Sequence, residues 1–273
     1  MDDVRWQAIP QDRRPEAEER LLSHLGKTRA CLFAVGQNVD NAQGAEILTR
    51  WNAAGHLIGN HTYSHVALFG KTTPEEFEQG ILRNEVVLRP YSGFRKWFRF
   101  PALKEGQTRE LRDRFRSFLA GHGYTNGAVT IDASDWYYNQ RLLARIEAEP
   151  SFDVNRYRQP YLDHIWDRAQ FYDRLSRDVL GRSVAHTLLI HYNLLNALFL
   201  GDLLAMFRSQ GWEAIGADEA FSDRVFERRP DTVPAGESLI WALAKATGRF
   251  EDRLRYPGED DVYEKPVLDR LGL

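Results

Sequence analysis

The sequence has little sulfur. Its 273 residues include one cysteine, Cys31, and two methionines. A lone cysteine excludes an internal disulfide framework. Cys31 lies in the apolar run Ala30-Cys31-Leu32-Phe33-Ala34-Val35, where it reads as a small buried hydrophobe and leaves the compartment open. An excess of one charge is also lacking. Lys and Arg total 36 against 39 Asp and Glu, for a net charge of -3 and a pI of about 6.3. That balance argues against a nucleic-acid partner. Mixed stretches such as Arg109-Glu110-Leu111-Arg112-Asp113-Arg114 fit a solvated helix face. No apolar run reaches the ~18 residues of a membrane span. The nearest, Leu188 to Leu204, is interrupted by His191, Asn193, Asn196 and Asp202. No signal peptide opens the chain, and no internal repeat, low-complexity linker or sharp change of composition divides it.

What is present suffices for a sizeable core. Hydrophobic residues make up 43% of the chain, with 7 Trp, 11 Tyr and 15 Phe. One domain over residues 1–273 is the simplest organisation, with a polar tail from about Tyr256 that is expected to be irregular over Tyr256 to Asp261. Apolar periodicity predicts helices over Pro15–Leu25, Asn41–Ala54, Pro74–Leu88, Thr108–Ala120, Asp163–Leu180 and Leu194–Ser209. Thr73 is the expected N-cap before Pro74. Apolar runs predict strands over Thr28–Val35, Leu57–Ile58, Trp97–Phe100, Ala128–Ile131, His186–Ile190 and Trp212–Ile215. This alternation argues for an α/β layer or barrel with a parallel sheet.

The chemistry concentrates in Asp2-Asp3 and in His61-Thr62-Tyr63-Ser64-His65. Histidines four apart share a face if they sit on a short helix. Neutral imidazole suits zinc, and two histidines with one carboxylate leave positions open for water, as in catalytic zinc sites. A second carboxylate could then take a proton from that water. No glutamate follows His61, so this is not the zinc-protease pattern HExxH, and the base must come from elsewhere. Taken alone, such a histidine pair also occurs on ordinary surfaces. Three more polar clusters sit at or just after predicted strand ends: Arg99-Phe100-Pro101, Asp132-Ala133-Ser134-Asp135-Trp136 and His191-Tyr192-Asn193. Strand ends are where parallel α/β folds gather their chemistry. Singly, each has a bland reading. His191 fits a half-buried structural histidine, Arg99 an ion-pair residue, Asp132 and Asp135 turn residues, and Trp136 a core residue.

Together, and in this order, the clusters resemble the polysaccharide deacetylase family, the NodB-homology group of carbohydrate esterases. Met1-Asp2-Asp3 resembles the end of its Thr-Phe-Asp-Asp element. His61 to His65 resembles His-Ser/Thr-x-x-His, Arg99-Phe100-Pro101 resembles Arg-x-Pro, Asp132 to Trp136 resembles Asp-x-x-Asp-Trp, and Leu189-Ile190-His191 resembles Leu-x-His. The resemblance runs from Met1 to about Gly216. It implies a distorted (β/α)7-type barrel with the site at the C-terminal ends of its strands, and a metal-dependent hydrolase that removes acetyl groups from N- or O-acetylated carbohydrate. It further implies that Asp3, His61 and His65 hold one divalent metal ion, with zinc expected, and that Asp2 is the general base. His191 would be the general acid, Asp135 would orient it, and Arg99 would pair with a site carboxylate. Trp136, Leu189 and Pro101 would line the substrate pocket.

Two departures from the family pattern bear on these expectations. Only Met1 precedes Asp2, whereas a strand needs about three residues. The first strand is therefore expected to begin upstream or to be missing, and its loss would leave neighbouring edges unpaired. The compartment follows from the same choice: cytoplasmic if the chain begins here, periplasmic or secreted if a signal segment precedes it. In addition, Val4-Arg5-Trp6 follows the aspartates where the family has glycine. Two other readings stay open: a metal-dependent amidase acting on a small non-sugar amide, and a non-catalytic carbohydrate-binding relative.

Overall fold

Backbone pairing in the computed structural model, which describes residues 1–66, 72–256 and 258–273, runs through a parallel five-stranded sheet. Its strands are β1 (Asp2–Asp3), β2 (Cys31–Ala34), β3 (Leu57–Asn60), β4 (Phe94–Phe98) and β6 (Thr125–Asn126), in that spatial order. β5 (Lys104–Gly106) and β7 (Ala235–Gly236) form a separate antiparallel ribbon. Helices fill the connections: α1 (Arg14–Leu25), α2 (Gly36–Val39), α3 (Ala42–Ala53), α4 (Pro74–Leu88), α5 (Arg109–Gly121), α6 (Asp135–Ala148), α7 (Arg158–Leu180), α8 (Leu194–Ser209), α9 (Ala217–Ala220), α10 (Leu239–Thr247) and α11 (Asp261–Leu271).

The sheet curls until its ends meet. Beyond β6, Ile131 bridges Leu188 in parallel, and His191 bridges Asp2. Asp2 N–H donates to Ile190 O at 2.9 Å, and Tyr192 N–H donates to Asp2 O at 3.0 Å. The circle thus closes through β1. The expected gap at the first strand is filled by two residues that touch both neighbours, Asp2 opposite Phe33 on one side and opposite His191 on the other. Inside the circle, Phe33 occupies the space left by two glycines. A Cβ on Gly59 would lie 2.6 Å from its ring, and one on Gly127 2.5 Å. The Arg99 guanidinium lies over the same ring at 3.8 Å from its centre.

Several expectations hold residue for residue. α4 and α8 have the predicted bounds, and Thr73 caps α4 in a reciprocal box with Glu76. Cys31 is buried and free, its thiol pushed up to about 12 by that burial. Among the described residues no helix is long and apolar enough to cross a membrane.

Others need correction. Ala128–Ile131 and His186–Ile190 pair only through isolated bridges. Threonine side chains compete for the backbone there: Thr187 N–H donates to Thr130 Oγ1 at 2.8 Å, and Thr130 N–H reaches Thr187 Oγ1 at 3.2 Å. Trp212–Ile215 is irregular, and just beyond it Ala217 N–H donates to Arg29 O at 2.7 Å. α7 begins five residues before the predicted Asp163. The polar tail turns helical after Asp260. It carries α11, capped by Asp260, with Leu268 buried in the main core.

The crowding around Phe33 sets a test. Gly59→Ala should destabilise the protein by roughly 1–3 kcal/mol, as overpacking of a filled interior does. Urea unfolding measures this, and a variant as stable as the parent would contradict the packing described.

Candidate metal centre and cleft

The strand ends deliver their side chains to one cleft of about 340 Å³. Asp2, Asp3, His61, His65, Trp136, Leu189 and His191 all line it. Of the other predicted site residues, Arg99 and Asp135 stand just behind the lining, each bonded to a residue that faces the cleft. Pro101 is buried and is not among the lining residues; its neighbours Phe100 and Ala102 are.

A regular strand would send Asp2 and Asp3 to opposite faces. The backbone leaves the strand at once. Asp3 and Val4 have φ of 73° and 50°, a region that costs a residue with a Cβ. Both carboxylates consequently approach the same imidazole. His61 Nε2 lies 3.4 Å from Asp3 Oδ1 and 4.0 Å from Asp2 Oδ2. His65 Nε2 lies 3.1 Å from Asp3 Oδ1.

The histidine pair is not helical, which corrects the reading of i and i+4 on a helix face. Residues 61–65 form an irregular loop in which Thr62 and His65 have φ of 63° and 54°. The loop turns back on itself, and His65 N–H donates to Thr62 Oγ1 at 3.0 Å. α2 holds it from outside, where Gly36 N–H and Gln37 N–H donate to Thr62 O and Tyr63 O.

Three ligand atoms, one each from Asp3, His61 and His65, lie within 4.8 Å of one another. His61 Nδ1 is 2.8 Å from Arg99 O. Because that carbonyl can only accept, Nδ1 carries a proton, so the neutral ring has its lone pair on Nε2, facing Asp3 and His65. Asp3 Oδ1 is buried yet has no well-formed hydrogen bond. A buried carboxylate oxygen without a donor and two imidazole nitrogens converging on it suit a divalent cation.

Countercharge is divided unequally between the two aspartates. Burial would raise the Asp2 carboxyl, but the Arg99 guanidinium at 2.5 Å from Oδ1, together with His61, the N-terminal ammonium and His191, outweighs it and holds the group below its usual value. Arg99 is fixed in turn by its Nε–H bond to Gly127 O at 2.7 Å. Asp3 has no arginine this close; Arg5 reaches only to 3.9 Å and is largely exposed. Burial would raise its carboxyl, but His61 and His65, when they carry protons toward it, hold it well below the usual range.

His191 lies across the cleft. Its Nδ1 is 2.7 Å from Asp135 Oδ1, and its backbone N–H donates to Asp135 Oδ2 at 2.8 Å. Burial works against the charged ring, but Asp135 dominates the opposing attractions, and the group is pushed up to about 9. Asp135 opens α6 with no exposed surface. Asn193 and Asn196 donate to its Oδ2 at 3.1 and 2.7 Å. Asn193 belongs to the polar cluster that follows the predicted strand, but neither asparagine was given a role in the site. Their signal was present in the sequence, since Asn193 stands where the cap of α8 falls.

On the far wall only Asp132, from the Asp-x-x-Asp-Trp element, was singled out in the sequence. Lys104 is ion-paired with Glu237, and Asp132, Glu259 and Asp260 line the cleft beside them. Burial and the nearby Glu259 charge push Asp132 up to about 8, so it holds a proton near neutrality and can donate one. Glu259 is ion-paired with Arg255 at 2.6 Å and Arg168 at 3.1 Å.

Residues 11–126 match the family model described as polysaccharide deacetylase. A peptidoglycan-N-acetylglucosamine deacetylase of Bacillus cereus is 31% identical over 122 residues, 45% of this chain and 41% of that protein. The chain therefore spans less than half of that relative. Among solved structures, a mutant of a Bacillus anthracis CE4 family pseudoenzyme with restored activity superimposes with a TM-score of 0.53 at 17% identity, covering 81% of this chain and 65% of that one. A family 4 acetyl xylan esterase from Clostridium thermocellum, in complex with a cobalt ion, gives 0.52 at 20% identity, covering 81% and 88%. At these identities the structural likeness shows a shared fold.

In the metal-free protein, His191 should titrate well above its usual 6.5 by NMR. Its raised value contributes stability that is fully present below pH 6.5 and is lost as pH rises through about 9. Asp135→Asn should lower the His191 value and flatten that dependence. Identical His191 titrations in the two proteins would contradict the assignment of Asp135 as the cause.

Proposed function

We propose, starting from the polysaccharide deacetylase match over residues 11–126, that this chain is a metal-dependent hydrolase removing acetyl groups from acetylated carbohydrate. The observation that carries the reading is the convergence of Asp3, His61 and His65 on one point, with Asp2 beside them and the His191–Asp135 pair in the same cleft. A pseudoenzyme shares this fold, so the fold alone does not separate a catalytic chain from an inert one. The full set of ligands, base and acid favours catalysis.

Asp3 Oδ1, His61 Nε2 and His65 Nε2 would hold a divalent cation. Such an ion supplies a Lewis acid that makes water acidic near neutral pH and draws charge from an acyl carbonyl. Asp2 stays ionised beside Arg99, and its Oδ2 is left to accept a proton from the attacking water. His191, charged and oriented by Asp135, gives its Nε2 proton to the departing amine or alcohol. Trp136, partly exposed at the start of α6, offers a flat surface of the kind on which sugar rings stack. Leu189 and Phe100 give the cleft apolar wall.

Two variants separate these roles. His65→Ala should lose bound metal and acetate release together. His191→Ala should keep the metal and lose turnover by roughly 10²–10⁴-fold, the usual contribution of a general acid. Elemental analysis and an acetate-release assay on acetylated oligosaccharides give the two readouts. Full turnover in His191→Ala would contradict the acid assignment.

A further inference from the structure

The loop carrying His61 and His65 is strained, and its restraint lies outside the cleft. Thr62 is β-branched and sits at φ 63°, where such a residue is an outlier. It is held by an Asx-turn: Thr62 N–H donates to Asn60 Oδ1 at 3.0 Å. Asn60 is the last residue of β3 and has no exposed surface. All four of its side-chain hydrogen-bond positions are used. Its Nδ2 donates to Ile81 O and to Tyr124 Oη, both at 2.9 Å, and its Oδ1 also accepts from Asn84 Nδ2 at 2.9 Å.

Asn84, on α4, is likewise fully buried. Its second N–H donates to Ala34 O at 2.8 Å, the carbonyl that also receives His61 N–H at 3.2 Å. One amide therefore ties the end of β2, the end of β3 and the start of the histidine loop together. Room is kept for it by Gly36, where a Cβ would lie 2.6 Å from Asn84 Oδ1 and 2.5 Å from the Tyr63 ring. Arg83, the preceding residue on α4, stacks on Tyr63 at 3.4 Å. Burying an amide is costly unless it is hydrogen-bonded, and here both N–H groups of Asn84 are spent on these strand ends while its Oδ1 has no partner.

We propose that Asn84 is a positioning residue for the metal centre, acting through Asn60 to hold Thr62 in its left-handed conformation so that His61 and His65 face Asp3. Asn84 makes no hydrogen bond to either histidine and is not among the residues that line the cleft. The inference rests on the metal-centre reading above. Groups that orient metal ligands from behind typically change affinity 10–100-fold when removed.

The test is zinc affinity, by competition with a chromogenic chelator, together with the visible absorption spectrum of the cobalt(II)-loaded protein. Asn84→Ala should weaken zinc binding by about tenfold or more and change the cobalt spectrum. Leu88→Ala, a buried apolar truncation on the same helix, should lower thermal stability and leave both readouts unchanged. If Asn84→Ala does not fold, Asn84→Asp, of the same size but without an N–H, carries the same expectation. Parental affinity and spectrum in a folded Asn84 variant, or an equal loss in Leu88→Ala, would overturn the proposal. A parent chain that takes up no metal would remove the metal-centre reading itself, and this inference with it.

Discussion

Two adjacent carboxylates buried at the mouth of a barrel must be balanced by positive charge, and the rest of the site follows from how that is done. Like charges this close cannot both stay ionised without help. Arg99 answers for Asp2 with a buried ion pair, and breaking such a pair leaves a costly uncompensated charge. Asp3 faces two histidines, and in its neutral form His61, with Nδ1–H committed to Arg99 O, turns a lone pair toward it. The arrangement is therefore short of one cation at the point where Asp3, His61 and His65 meet. On the far wall the same requirement is met without a cation, by Lys104 for Glu237, by Arg255 and Arg168 for Glu259, and by a retained proton on Asp132.

Geometry at that point is obtained by local strain. Asp3, Val4, Thr62, His65, Ala102 and Leu103 all have positive φ, and four of them, Asp3, His65, Ala102 and Leu103, line the cleft. Strain of this kind persists only where surrounding structure over-determines it. Here the restraint comes from the barrel itself. β1 is only two residues long, but it is bonded on both sides, so Asp2 and Asp3 are fixed to β2 and to the segment bearing His191. The histidine loop is fixed to β2, α2 and α4 through backbone and amide bonds. Acid and base thus belong to neighbouring segments of one closed circle, and their separation is a property of the barrel.

Much of this was legible in the sequence. Apolar periodicity located α4 and α8 to the residue, because long amphipathic or fully apolar helices carry their own signal. The order of the motifs located Asp2, Asp3, His61, His65, Asp135 and His191. What was not legible depended on tertiary bonds. The strand pattern over 128–131 and 186–190 was undone by Thr130 and Thr187, whose hydroxyls take backbone bonds that a ladder would use. The helical reading of His61 to His65 failed because spacing alone does not distinguish a helix turn from a loop held by an asparagine network. The Asn60–Asn84 pair is 24 residues apart in sequence, and Glu237, Glu259 and Asp260 reach the cleft from a part of the chain with no motif to announce it.

The most direct measurement is anomalous X-ray diffraction from crystals of the zinc-loaded protein, collected on either side of the zinc edge. The account predicts one strong peak per chain at about 2.0–2.2 Å from Asp3 Oδ1, His61 Nε2 and His65 Nε2. A peak held by other residues, or the absence of one at saturating zinc, would contradict it.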